Sequence, residues 1–342
     1  MQRTPHAGGD LSATATPTTS LAGPTAGDGT EDTRVLTIGT RASLLALAQT
    51  SMIEAAIARA NPGIRVAREH ITTKGDLIID RPLAAIDGKG LFVAEIEQAL
   101  RDGRIDLAVH SAKDLPSELS PDMALPVFPR RVDPRDVLVS RFGDITALPL
   151  RARVGTSSPR RLAQLRALRP DLVLDSMRGN VDTRLRKLDG GEFDAIVLAA
   201  AGLERLGMLH RATYAFSLDE MLPSVGQGAL ALETRAGDAV TFDAIASLND
   251  PDTLAAVAAE RAFLAVVGGG CSVPVAAYAQ IHADRVEIRG FIGALDGRAI
   301  RDVCEGRVAD AEWLARDLAA RLLENGGAAL LAGATARHHA GA

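Results

Sequence analysis

Residues 105–116 read Ile105-Asp106-Leu107-Ala108-Val109-His110-Ser111-Ala112-Lys113-Asp114-Leu115-Pro116, and their reading decides the fold. Ile105 to Val109 is an apolar run of strand length. It empties into a polar knot of His110, Ser111, Lys113 and Asp114, and Pro116 blocks continuation as a helix or a central strand. In open α/β sheets ligands bind beyond the carboxyl ends of the strands, so this knot is where chemistry is expected. A carboxylate beside an ammonium and a hydroxyl suits an acid/base site and a solvated loop alike. The rest of the chain has to separate the two.

Upstream, Val35 to Ile38 predicts a strand and Gly39-Thr40-Arg41-Ala42-Ser43 the turn after it. A helix follows with an apolar stripe of Leu45, Ala48, Met52, Ala55 and Ala56, closed by Pro62-Gly63. Ile64 to Ile71 is a second strand, ending in Lys74-Gly75-Asp76. A helix with Phe92, Ile96 and Leu100 on one face then leads into Ile105–Val109. Strand, helix, strand, helix, strand implies a parallel sheet.

Downstream the pattern restarts. Val154-Gly155-Thr156 echoes Ile38-Gly39-Thr40, Arg178-Gly179-Asn180 answers Lys74-Gly75-Asp76, and the strand from Asp194 to Ala199 matches Asp106 to Val109. Ser158 at an N-cap with Pro159 after it starts a helix that turns Leu162, Leu165 and Leu168 inward. Three correspondences in one order imply two similar α/β lobes. Ala229 to Glu233 reads as a strand returning to the first sheet, so the chain crosses between lobes twice, at Met123–Val132 and Met221–Gly228. Paired crossings permit hinge motion around a cleft. The last third changes to a helix from Asp252 to about Val267 and three alternating strands. A helix bearing Trp313, Leu314, Leu318, Leu322 and Leu323 then completes a small α+β domain.

These readings give a first domain of residues 33–129 and 228–248, a second of 130–227 and a third of 249–333. Residues 1–32 and 334–342 read as loose tails. A net charge of −5 and 3% aromatic residues argue against nucleic-acid binding. No apolar run approaches membrane-span length, so no membrane association is expected. Two cysteines, Cys271 and Cys304, form no disulfide framework and no metal pair, which fits a reducing cytoplasm.

Three features carry chemistry. Arginines crowd residues 151–187, and Arg160, Arg161 and Arg178 fall where helices begin after strands. Helix N-termini favour anions, and Arg41 with Ser43 repeats the arrangement in the first lobe. An acidic protein that gathers arginine at such turns expects a small polyanionic ligand, whereas Arg166 and Arg186 read as solvated surface. Cys271 follows Gly268-Gly269-Gly270, which turns an ordinary buried thiol into a candidate nucleophile or attachment point. Gly88-Lys89-Gly90 lacks phosphate-loop spacing and reads as a mobile loop, and no histidine has metal-ligand spacing, so no metal is expected.

These residues resemble one family, porphobilinogen deaminase, also called hydroxymethylbilane synthase, of tetrapyrrole and haem biosynthesis. The resemblance runs from about Val35 to Gly333. It is carried by GTRASLLALAQ (39–49), KGD (74–76), GKGLFVAEIE (88–97), DLAVHSAKDLP (106–116) and GTSSPRRLAQL (155–165). RGNVDTRL (178–185), LPSVGQGAL (222–230) and GGCSVP (269–274) continue it. It implies two periplasmic-binding-protein-like lobes around a central cleft, with a dipyrromethane cofactor on Cys271 through a thioether. Asp114 falls at the family's catalytic aspartate. Lys113, Ser158, Arg160, Arg161, Arg184 and Arg205 fall at cofactor-binding positions, and Arg41, Ser43, Arg178 and Lys89 at substrate-binding ones. The implied enzyme is a cytoplasmic monomer that joins four porphobilinogen units head to tail and then hydrolyses off the linear tetrapyrrole. Ala112 and Pro159 replace bulkier residues of those motifs, and the N-terminal tail is longer than the family's.

The chemistry suits the residues. Loss of ammonia leaves a cationic azafulvene, and a carboxylate near the pyrrole N–H stabilises that cation and assists the later proton loss. The competing reading is a two-lobed solute-binding module, which needs no Cys271 and returns its ligand unchanged.

Overall fold

The computed structural model describes residues 34–77, 93–268 and 273–339. Lys89, Cys271 and the N-terminal tail lie outside the described residues. The first lobe opens with β1 (Arg34–Thr40), α1 (Leu44–Ala60), β2 (Ile64–His70) and a short α2 (Lys74–Leu77). It goes on with α3 (Ala94–Arg101), β3 (Leu107–Ser111) and β4 (Met123–Val127). The chain then builds β5 (Asp136–Ser140), β6 (Arg153–Gly155), α4 (Pro159–Leu168), β7 (Val173–Asp175) and α5 (Val181–Asp189). The second lobe ends with β8 (Ala195–Ala199), α6 (Ala200–Arg205) and β9 (Tyr214–Ala215). The chain returns as β10 (Leu230–Arg235) and α7 (Ala239–Ile245). A third unit comprises α8 (Pro251–Val267), β11 (Val275–His282), β12 (Arg285–Gly293), β13 (Ala299–Arg307), α9 (Ala311–Leu322) and α10 (Ala328–His339).

The first sheet runs β2-β1-β3-β10-β4 and the second β7-β6-β8-β5-β9, one topology used twice. In each, three parallel strands meet an antiparallel fourth, β10 or β5, which arrives directly from the other lobe. The likeness extends to single hydrogen bonds. Asp106 accepts from the Thr37 N–H at 2.9 Å while its own N–H donates to Thr37 O at 2.8 Å. Asp194 does the same with Arg153, at 2.8 and 2.9 Å. Gly39 and Gly155 hold equivalent places at the ends of β1 and β6. A Cβ at Gly39 would stand 2.4 Å from Ile105, and one at Gly155 2.7 Å from Met177. Bare backbone is what lets these neighbours close over the strand ends.

Both faces of each sheet are covered, which is why β3 and β8 read as unbroken apolar runs. Leu107 and Val109 pack with Ile53 and Ile57 of α1, whereas Ala108 packs with Ile96 and Leu100 of α3. Each fully buried Leu or Ile contributes about 1.5–3 kcal/mol. The three-stranded antiparallel sheet of the third unit packs on α8 and α9. Asp250 caps α8 by accepting from the Thr253 N–H, with Pro251 at the first helical position.

Several expectations shift. The β3 strand runs to Ser111, so His110 and Ser111 belong to the sheet and the polar knot is tighter than the sequence implied. Met123–Val127 is a strand paired with β10, which confines the first crossing to residues 128–135. The inward face of α1 is Gln49, Thr50, Ile53 and Ile57, and Met52 is exposed. Polar side chains take that face because each finds a partner there. Gln49 donates to Ser111 Oγ and the Thr50 hydroxyl to Thr40 Oγ1, both at 2.8 Å. Trp313 is exposed rather than core, and α10 continues to His339 where a loose tail was expected.

Candidate functional site

The first lobe contributes one pocket. Arg41, Ser43, Gln49, His110, Ser111 and Asp114 line it, around a cavity of about 60 Å³. Ser43 caps α1, its hydroxyl accepting from the Ala46 N–H at 3.3 Å. Asp114 closes the single 3-10 turn Ala112–Asp114 that follows β3, and its side chain is exposed. Beneath it, His110 Nε2 lies 2.8 Å from Glu233 Oε2. Glu233, on β10, is fully buried and its other oxygen has no partner among the described residues. The sequence marked Glu233 only as a strand residue.

The second lobe contributes the cations. Ser158 and Asn180 stand at the N-caps of α4 and α5, yet neither side chain makes a capping bond, so both N-termini lack a side-chain cap. Arg160, Arg161 and Gln164 are buried alongside Leu165, and Leu168 packs half-buried against the same core, so polar groups join the expected leucine face and only Leu162 lies outside it. The reason is Asp136, fully buried at the start of β5. Arg160 Nη1 donates to it at 2.6 Å, Arg161 Nη2 at 2.7 Å and Gln227 Nε2 at 3.0 Å. Burial would raise the Asp136 pKa, but the two guanidiniums outweigh it and hold the carboxyl well below the usual range. Arg160 also donates to Leu222 O and Arg161 to Val197 O, which fixes both heads.

Around this pair the charges pile up. Burial lowers the Lys113 pKa, Asp114 opposes that, and Arg161 and Arg160 add to it, so the lysine of the first lobe senses the arginines of the second. Burial, with Arg161 and Arg178 nearby, brings Arg184 down to about 10. Arg205 falls to about 10 through burial, its Nη2 donating to Gly228 O at 2.7 Å while its buried Nε lacks a partner among the described residues. Charge thus couples Lys113 to Asp114, Arg160 and Arg161, and Arg184 to Arg161 and Arg178, while Arg41 and Ser43 line the Asp114 pocket. Arg205 sits against the second crossing. Cys271 is outside the described residues, but its segment leaves α8 at Gly268 and rejoins at Val273. Cys304 is a half-buried thiol, its pKa raised by burial. Among the described residues no cluster of His, Cys, Asp or Glu is placed to hold a metal ion.

Helix N-termini without side-chain caps, clustered guanidiniums and an orphaned arginine N–H are features suited to holding several carboxylates. The fold and the site define a two-lobed α/β protein with an exposed carboxylate in one lobe and a cluster of buried arginines in the other. Comparison with known proteins narrows the class. Residues 36–243 match the family domain described as "Porphobilinogen deaminase, dipyromethane cofactor binding domain". Residues 254–324 match "Porphobilinogen deaminase, C-terminal domain". The porphobilinogen deaminase of Roseiflexus castenholzii is 60% identical over 87% of this chain and 99% of its own length. That of Syntrophotalea carbinolica is 51% identical over 87% and 95%. Among solved structures, the periplasmic aliphatic sulphonate binding protein SsuA from Escherichia coli aligns with 63% of this chain and 69% of its own, at 15% identity and a TM-score of 0.37. The chain belongs to the porphobilinogen deaminase family, whose members are ammonia-releasing transferases with a dipyrromethane cofactor. A non-catalytic solute-binding module is not favoured. No helix among the described residues is long and apolar enough to cross a membrane.

Proposed function

We propose that this chain joins four porphobilinogen molecules head to tail and releases the linear tetrapyrrole, with Asp114 as its catalytic carboxylate and Cys271 as the cofactor's attachment point. When bound, dipyrromethane supplies the free pyrrole carbon to which the first substrate unit is joined. The protein's part is to grip, orient and balance charge. Arg160, Arg161, Arg184 and Arg205, with Lys113 and Ser158, take the acetate and propionate side chains of the cofactor. Arg41, Ser43, Arg178 and Lys89 take those of the incoming substrate. Each charge-assisted bond is worth about 1.5–3 kcal/mol.

The observation that carries this reading is the exposed Asp114 carboxylate in one pocket with Arg41 and Ser43, within electrostatic reach of Lys113 and the Arg160–Arg161 pair. Deamination of porphobilinogen leaves a cation, and a carboxylate at 4 Å stabilises a unit positive charge by about 4 kcal/mol at an effective dielectric of 20, about 10³ in rate. The same oxygen then accepts the proton that the joined pyrrole carbon gives up. We place the enzyme in the cytoplasm as a monomer without nucleic-acid partners, in keeping with its acidic charge and sparse aromatics. Incubation with porphobilinogen tests the proposal: hydroxymethylbilane and ammonia should form with the wild type and almost none with Asp114→Asn. Equal turnover by the two would remove Asp114 from the mechanism.

A further inference from the structure

Glu260 lies mid-way along α8, outside the cleft, and is fully buried. Its Oε1 accepts from Arg131 Nη1 at 2.5 Å and from the Ala279 N–H of β11 at 2.9 Å. Its Oε2 accepts from the Gly226 N–H at 2.6 Å and from Arg131 Nη2 at 3.2 Å. Arg131 belongs to the first crossing and Gly226 to the second. Arg131 reaches further: its Nε donates to Gln227 O at 2.8 Å, its N–H to Thr253 Oγ1 at 3.0 Å, and its guanidinium lies 4.9 Å from the Tyr278 ring centroid. One carboxylate thus holds both crossings, the helix that leads into the Cys271 segment and the strand that leaves it.

The second crossing in turn bears on the Asp114 turn. Gly226 has φ +70°, and a Cβ there would stand 3.0 Å from Ala112 Cβ and 3.1 Å from Lys113 N. The Ala112 N–H donates to Ala229 O at 3.0 Å. A path of direct contacts therefore runs from Glu260 through Gly226 to Ala112, Lys113 and Asp114. A buried ion pair contributes little net stability compared with apolar residues of the same volume, so what it gives the fold is a defined geometry.

We infer that Glu260 is a positioning residue for chain elongation: it locks the base of the third domain to both crossings and to the Asp114 turn, so that the tethered chain and the carboxylate keep their register as each unit is added. This rests on the reading that Cys271 carries the growing chain. A misplacement of 1 Å at a reacting centre costs about 10²-fold in rate, enough to stall a repeated step.

The test uses holoenzyme and limiting porphobilinogen, following by intact mass the enzyme species that carry successive added units. Glu260→Gln keeps the volume but turns an amide N–H₂ toward donors. It should retain the cofactor mass and slow the later additions by about 10- to 100-fold, so that partly elongated species accumulate. A lower melting temperature with a wild-type distribution of species would reduce Glu260 to a structural brace and overturn the inference. Arg131→Lys keeps the charge but loses the fork to Gln227 and Glu260, and it decides the matter where Glu260→Gln fails to fold. Accumulation in Arg131→Lys supports the clamp, and an unchanged distribution refutes it. A wild type without cofactor mass would strike at the Cys271 reading instead. The clamp is then judged on turnover: a loss of about 10-fold or more in kcat for Glu260→Gln upholds it, and wild-type kcat ends it.

Discussion

Asp136→Asn probes the second lobe's arginine pair from beneath. The carboxylate is fully buried and accepts from Arg160, Arg161 and Gln227, so the amide leaves two buried guanidiniums facing one neutral oxygen and an N–H₂. Breaking a buried pair from one side costs about 3–5 kcal/mol. At roughly 2–4 °C per kcal/mol for chains of this order, the melting temperature should fall by roughly 6–20 °C at neutral pH. The pH dependence follows from the sign of the shift. The folded pKa is depressed and an unfolded aspartate titrates near about 3.9. The stabilisation from Asp136 is therefore complete above that value and is lost as pH falls through the folded one. Thermal denaturation of wild type and variant should show a gap that is flat from about pH 5 to pH 8 and closes in stronger acid. A gap below about 1 kcal/mol at neutral pH, or one that widens on acidification, would mean that Arg160 and Arg161 do not depend on Asp136.

Other perturbations separate charge from scaffold. Asp114→Asn should lower kcat by about 10²–10³ while leaving thermal stability within about 0.5 kcal/mol, since the side chain is exposed in a turn. Arg184→Lys keeps a charge but loses the planar fork, and KM for porphobilinogen should rise about 10-fold in steady-state assays. Because Arg184 is held near about 10, its grip on carboxylates should also fade as pH rises through that value, and a binding isotherm independent of alkaline pH would count against its role. His110→Leu strands the buried Glu233 carboxylate and should cost about 1–3 kcal/mol or more in chemical denaturation. The double variant His110→Leu with Glu233→Leu should recover part of that loss.

Much of this was legible because strand-end motifs carry their own physics. Gly39-Thr40 and Gly155-Thr156 announce a repeated strand-to-helix turn, and the structure repeats it down to the Asp106 and Asp194 hydrogen bonds. Arginines at helix starts read as an anion cradle, and the uncapped N-termini of α4 and α5 suit one. What stayed hidden was partner choice over long separations. Nothing local in Asp136 says that Arg160 and Arg161 will bury themselves on it, so the leucine spacing of α4 marks Leu165 and Leu168 but not the two buried arginines beside them. The α1 stripe failed for the same reason, since Gln49 and Thr50 are buried by partners on other elements, Ser111 and Thr40. Nothing local in the sequence singles out Glu260, and only the meeting of both crossings on α8 gives it a role.

The central claim is a covalent one, and the intact mass of the purified protein tests it most directly. The account predicts a wild type heavier than its polypeptide by one dipyrromethane unit, an excess that vanishes in Cys271→Ser together with turnover. An unmodified wild type that still converts porphobilinogen to the tetrapyrrole would contradict it.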